Sequence, residues 1–155
     1  MLVVGSGSGY LCSVIGHLIN NGGSVLGIER IKGLADRSIS NITRDQPSFI
    51  DTKRVAIEHG NGWDGSLSHA PYDVIVVCAA APFAPQPLVD QLRTGGILII
   101  PLWNSTDRVQ WLCKMEKLID GTCTMSKIMP VLYHIHKHNQ SFIKIIYRFG
   151  SLVAD

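Results

Sequence analysis

The chain opens on a short apolar run, "MLVV", that ends in the glycine-serine stretch Gly5 to Gly9. Beyond it Leu11, Val14, Ile15, Leu18 and Ile19 recur at the spacing of one helical face. The pattern predicts a strand, a turn and a helix. After the break "NNGG", "SVLGI" reads as a second strand ending at Glu29, and Ile31, Leu34, Ala35, Ile39 and Ile42 mark one face of a helix over "IKGLADRSISNIT". "RVAIEHG" reads as a third strand, "YDVIVVCAAA" as a fourth, "PQPLVDQLR" as a short helix and "GGILIIPL" as a fifth strand. Short runs that are apolar throughout, without alternation, are the signature of strands buried on both faces. Strands alternating with helices predict a parallel sheet joined by right-handed crossovers.

From Asp107 the rhythm changes. "RVQWLCKMEKLIDGTCTMSKIMPVLYHI" predicts two strands around Asp120-Gly121, a dipeptide suited to a tight hairpin, and this antiparallel pair should close one sheet edge. No repeat, low-complexity stretch or linker divides the chain, and the closing "QSFIKIIYRFGSLVAD" is assigned to no element.

Composition narrows the picture. At 155 residues the chain is the size of one domain with one core. No run approaches the ~20 apolar residues that span a bilayer, and the opening lacks the basic region of a signal peptide, so a soluble, cytoplasmic protein with no membrane partner is expected. The net charge of +2 is scattered rather than clustered among aromatics, which points away from nucleic acid. Cys12, Cys78, Cys113 and Cys123 form no CxxC pair and read as buried free thiols. Trp63, Trp103 and Trp111 are dispersed and read as core or loop anchors. His134, His136 and His138 alternate as on one strand face, but no acidic or thiol ligand adjoins them, and no metal is expected.

The chemistry concentrates in the loops that leave the strands. Glycines 5, 7 and 9 between a strand and a helix let the backbone turn sharply and approach a ligand. The spacing is G-x-G-x-G followed by Tyr10, which departs from the dinucleotide pattern G-x-G-x-x-G, and the Lys and Ser/Thr of a P-loop are missing. Glu29 follows Gly9 by 20 residues at the end of the next strand, where a carboxylate can accept from both hydroxyls of a ribose. An adenosine-type ligand without required phosphates fits these two elements. "EHGNGWDG" leaves the third strand, and Asn61 in it can donate to and accept from an adenine edge. As an isolated feature Asn61-Gly62 reads first as a plain turn, and only its place beside the first two elements raises it. Small residues leave the fourth strand in "VCAAAPFAPQP", where a ligand could approach closely or prolines could simply brace a packed loop.

Four stretches in order, "VGSGSGYL", "GIERIKGLADRSISNI", "APYDVIVVCAAAPFAPQPLVDQLRTGGILIIPL" and "LIDGTCTMSKIMPVLY", resemble the protein-L-isoaspartate (D-aspartate) O-methyltransferases. The resemblance covers most of residues 1 to about 135. It implies an α/β fold of the Rossmann-like doubly wound kind, with a mostly parallel sheet and an antiparallel C-terminal hairpin. It implies S-adenosylmethionine as cofactor, with Gly5, Ser6, Gly7 and Gly9 along its methionine and ribose part, Glu29 on the ribose hydroxyls, and Asn61 with Gly62 at the adenine. The implied activity is methylation of isoaspartyl (D-aspartyl) carboxylates in proteins or peptides for repair, by a monomer. No catalytic side chain is assigned. An isoaspartyl carboxylate of pKa about 4 is already ionised at neutral pH and needs no base.

Three departures accompany the resemblance. Val3 stands where the family strand usually reads V-L-D-V-G, and Asn61 where members usually carry an acid. The family also has an N-terminal region with a Ser-Ala-Pro-His-type segment, whereas Met1 here lies already in the first strand. The expected unit is therefore a single methyltransferase domain over 1–155 without that region. The alternative is a catalytically inactive, methyltransferase-like binding or adaptor protein, or a fragment.

Overall fold

A computed structural model of the chain describes residues 1–19, 22–106 and 108–133. Seven strands form one sheet: β1 (Leu2–Val4), β2 (Val25–Glu29), β3 (Val55–His59), β4 (Tyr72–Val77), β5 (Leu92–Asn104), β6 (Val109–Lys117) and β7 (Cys123–Val131). Their order is β3-β2-β1-β4-β5-β6-β7. The first five are parallel, with Val3 level with Gly27 on one side and Val76 on the other. β6 and β7 are antiparallel to their neighbours, so the hairpin continues the sheet beyond β5. Its turn carries Gly121 at φ +83°, and the Gly121 N–H donates to the Leu118 carbonyl.

Chain order reverses at β1, because β2 and β3 lie to one side and β4 to the other. In open α/β sheets the carboxyl ends of strands at such a switch point leave a crevice.

Three helices, α1 (Tyr10–Leu18), α2 (Lys32–Asp45) and α3 (Pro47–Asp51), pack mainly over β2 and β3. They enclose a core of Val3, Cys12, Val25, Ile42, Phe49 and Val55. The opposite face carries the larger core, with Leu2, Val4, Ile75, Leu98 and Ile100 beneath α4 (Gln86–Asp90) and the loops around it. Both faces of β1 and β2 are thus buried, which is why their sequences carry no polar side chain before Glu29 at the end of β2.

Several expectations are corrected. On α1 the inward side chains are Cys12, Ser13 and Gly16, while Leu18 is 73% exposed. A Cβ on Gly16 would lie 2.7 Å from Val55 and 2.9 Å from Phe49, so the helix sits too close for a bulky face. On α2 Ala35, Ser38 and Ile42 turn inward and Ile39 turns out. Leu11, Ile15 and Ile19 of the expected α1 stripe pack half-buried on this core, and Ala35 and Ile42 of the α2 stripe are fully buried, so small residues join the apolar stripe at both contact faces while Leu18 and Ile39 turn out. α3 is a helix that the pattern had not marked, begun by Pro47 at its first turn. β4 ends at Val77, and Ala81 then makes a separate bridge to Leu102. Of the thiols, Cys12 and Cys113 are buried, whereas Cys78 and Cys123 are only partly so. Trp63 and Trp111 pack on the larger core, and Trp103 is exposed. The alternating His134, His136 and His138 lie outside the described residues.

Candidate functional site

β1 delivers the glycine stretch to the carboxyl edge of the sheet, and the Gly5 and Ser6 N–H groups both donate to the Ile28 carbonyl of β2. Glu29, the last residue of β2, is 2% exposed. Its Oε2 accepts from the Gly7 N–H and its Oε1 from the Ile31 N–H, each at 3.0 Å. One carboxylate therefore ties the glycine turn to the start of α2. A carboxylate oxygen has two lone-pair directions, so each oxygen keeps one for a further donor.

At the end of β3 the chain folds over the same edge, where the Gly60 N–H donates to the Glu29 carbonyl. The Asn61 amide donates to Asp64 at 3.0 Å and its oxygen caps the Trp63 N–H. Gly62 lies against β1 so closely that a Cβ would stand 2.4 Å from Val4 Cγ1. A side chain there would force the Val4 side chain to give way.

The result is a cleft that brings together Gly5, Glu29, Asn61 and Gly62, with Val4, Ile28 and Leu88 among its apolar walls. Trp63 also lines it. Beside it, burial pushes the Cys78 thiol up to about 11, and the nearby negative charge of Glu29 adds to the effect.

The remaining glycine-stretch residues are placed differently. Ser6 is 5% exposed, its Oγ makes no hydrogen bond with the described residues, and its Cβ lies at Gly27, on the side of α1. Gly7 reaches the cleft through its N–H bond to Glu29. Gly9 precedes α1 at φ +84°, where a Cβ would meet Ser38 Oγ at 2.5 Å and the Ser38 carbonyl at 3.0 Å. Its task is close packing of the turn on α2. Val3 is fully buried beside Cys12 and Ile42, so this position belongs to the helix-side core and not to the cleft wall.

Two contributors escaped the sequence pattern. Asn41 of α2 donates to the Ser8 carbonyl at 2.9 Å and pins the tip of the turn. Ser13 donates to Asp45 at 2.7 Å, fastening α1 to the end of α2 and holding the Asp45 carboxyl below the usual carboxylate range. A single polar residue within a helix carries no pattern that marks such a contact. Trp63 could have been noticed as the one large apolar residue in an otherwise polar loop.

Three comparisons bear on this arrangement. Residues 1–140 match the family model of protein-L-isoaspartate (D-aspartate) O-methyltransferase. Protein-L-isoaspartate O-methyltransferase 1 of Arabidopsis thaliana is 37% identical over 134 residues, which is 86% of this chain and 57% of that protein. Protein-L-isoaspartate O-methyltransferase 2 of the same plant is 43% identical over 133 residues, 85% of this chain and 42% of its own length. The chain thus spans roughly half the length of these relatives. A Plasmodium falciparum structure named as a protein of this kind, in complex with S-adenosyl-L-homocysteine, superposes with a TM-score of 0.76 at 32% identity, covering 89% of this chain and 65% of that one. By family model, relatives and fold together, the chain belongs to the protein-L-isoaspartate (D-aspartate) O-methyltransferase family.

Proposed function

We propose that the cleft binds S-adenosylmethionine and that the protein transfers its methyl group to isoaspartyl (D-aspartyl) carboxylates of proteins and peptides. The observation that carries this reading is the buried Glu29 carboxylate, presented at the switch point beside Gly5, Asn61 and Gly62 in one cleft. The P. falciparum structure, which holds the demethylated form of that cofactor, supports it.

The residues present fit such a ligand. Glu29 retains an unused lone pair on each oxygen for the two ribose hydroxyls, beyond its bonds to Gly7 and Ile31. Asn61 and Gly62 would stand at the adenine, and the absent Gly62 side chain leaves the loop pressed onto β1. Val4, Ile28 and Leu88 give the cleft an apolar floor that excludes water. Gly5, Ser6, Gly7 and Gly9 would shape the turn under the methionine and ribose part, with Ser6 and Gly9 acting through packing.

When bound, S-adenosylmethionine supplies an electrophilic sulfonium methyl for a carboxylate oxygen. The acceptor carboxylate, with a pKa of about 4, is ionised at neutral pH, so the chain need supply no general base. Its residues accelerate transfer by binding and alignment, which can contribute about 7–11 kcal/mol to lowering a barrier. The same reading takes 1–155 as one methyltransferase domain, working as a cytoplasmic monomer with neither nucleic acid nor membrane as partner. The small net charge of +2 supports that choice of partners.

The test pairs calorimetric titration of S-adenosylhomocysteine with transfer of labelled methyl to an isoaspartyl peptide, using the matching aspartyl peptide as control. Binding and label only on the isoaspartyl peptide are expected. Binding without transfer would instead favour an inactive binding protein, and no binding would remove the cofactor reading altogether.

A further inference from the structure

Two distant segments supply facing parts of the cleft. Asn61, Gly62 and Trp63 belong to the loop after β3, whereas Leu88 lies in α4 and Pro85 just before it. One side chain joins these segments. Gln91, at the C-terminal end of α4, is 4% exposed. Its Oε1 accepts from the Ser66 N–H at 2.9 Å, and its Nε2 donates to the Asp64 carbonyl at 2.8 Å. Both ends of the amide are thus engaged with main chain 25 and 27 residues away. An apolar side chain of like size would fill the same space, but it would leave that N–H and that carbonyl without this partner.

The grip reaches the cleft through two overlapping turns. The Asp64 N–H donates to the Asn61 carbonyl at 3.1 Å, the Gly65 N–H donates to the Gly62 carbonyl at 3.3 Å, and the Asn61 amide donates to Asp64 Oδ2. A shift of Asp64 is therefore passed on to Asn61 and Gly62. Gly65 stands at φ +65°, and a Cβ there would lie 2.2 Å from Gln91 Oε1, so the loop is fitted closely to the amide. The other end of the tie is anchored to the sheet. Lys117 of β6 donates to the carbonyls of Val89, Asp90 and Leu92 at 3.1, 3.1 and 3.0 Å. Tyr72 of β4 spans both ends: its N–H donates to the Gln91 carbonyl and its hydroxyl to the Ser66 carbonyl, each at 2.8 Å.

We propose that Gln91 is a positioning residue of the cleft, fixing Asn61, Gly62 and Trp63 against α4 and so setting the width offered to the adenine of S-adenosylmethionine. The ligand in this assignment rests on the proposed function, whereas the tie rests on the hydrogen bonds alone.

Two variants test it. Gln91→Met keeps the length of the side chain and removes both bonds, while Gln91→Glu keeps the acceptor and, when ionised, loses the donor. In a Trp103→Phe/Trp111→Phe background Trp63 is the remaining tryptophan of three, and its emission reports on the cleft without ligand. Both variants should weaken S-adenosylhomocysteine binding about tenfold by calorimetry, the loss expected for one or two hydrogen bonds. Both should also raise quenching of Trp63 by acrylamide. Phe49→Leu, in the helix-side core, lowers stability away from this loop and should change neither readout. Affinity within about twofold of wild type in both Gln91 variants, or an equal loss in Phe49→Leu, would overturn the assignment. If the wild type itself binds no S-adenosylhomocysteine, the cofactor reading falls and Trp63 quenching decides: a rise in the Gln91 variants upholds the tie, and no rise overturns it.

Discussion

Replacing Glu29 by Gln separates the tie that holds the glycine turn from the charge that a ligand would use. The wild-type carboxylate accepts two backbone N–H groups, from Gly7 and Ile31, while itself 2% exposed. Glutamine has one oxygen for two donors, so its amide nitrogen must point at one of the N–H groups. A hydrogen bond to a charged group contributes about 1.5–3 kcal/mol, and a buried donor left unsatisfied costs about 1–3 kcal/mol. These figures describe overlapping losses, so the net expectation is about 2–4 kcal/mol of destabilisation. For a chain of this size, each kcal/mol corresponds to about 2–4 °C, which places the fall in Tm at about 5–15 °C. Thermal unfolding by circular dichroism measures this directly, and hydrogen exchange at the Gly7 and Ile31 amides should quicken. Affinity for S-adenosylhomocysteine should drop as well. If Glu29→Gln melts within about 2 °C of wild type and those two amides stay protected, the tie contributes nothing and the argument fails.

Two further predictions concern packing and titration. Gly9→Ala places a methyl 2.5 Å from Ser38 Oγ and 3.0 Å from its carbonyl at a φ of +84°. The left-handed backbone alone costs about 1–2 kcal/mol, so the melting temperature should fall, and Gly9→Ala/Ser38→Gly should recover only the part due to the hydroxyl clash. Burial pushes the Cys12 thiol up to about 12 from an ordinary value of 9, with neighbouring Cys78 adding to it; Cys78 itself is pushed up to about 11. Unfolded thiols ionise near 9, so the stability that these groups contribute is fully present below that pH and is lost as pH rises through the folded values. Tm should therefore decline between about pH 9 and about pH 11, and less steeply in Cys78→Ala; an equal slope in both would contradict the burial argument.

The strand–helix alternation was readable because β1 and β2 are apolar on both sides, a pattern that water-facing elements do not show. Which side of each helix turns inward was not. Leu18 and Ile39 fit a helical stripe as well as their neighbours do, yet they face out. The most deeply buried positions are Cys12, Ser13 and Gly16 on one helix, with Leu11, Ile15 and Ile19 half-buried beside them, and Ala35, Ser38 and Ile42 on the other. Small side chains allow close approach, and hydrophobic periodicity weighs size without knowing distance. At the cleft, Glu29, Asn61 and Gly62 were legible from their places at strand ends. Ser6 was legible as part of the turn but not as a residue directed toward Gly27.

By itself, the sequence determined the order of the strands and of every helix but α3, the parallel sheet, the position of the hairpin and the strand ends that bear the candidate chemistry. Those follow from local spacing, because period and turn chemistry act within a few residues. Only the tertiary structure decided that Gly5, Glu29, Asn61 and Gly62 share one cleft, that Val3 belongs to the core behind it, and that Asn41 holds the turn from another helix. Each of these depends on how separate segments meet, and contacts across 22 or 33 residues of chain leave no periodic trace along it.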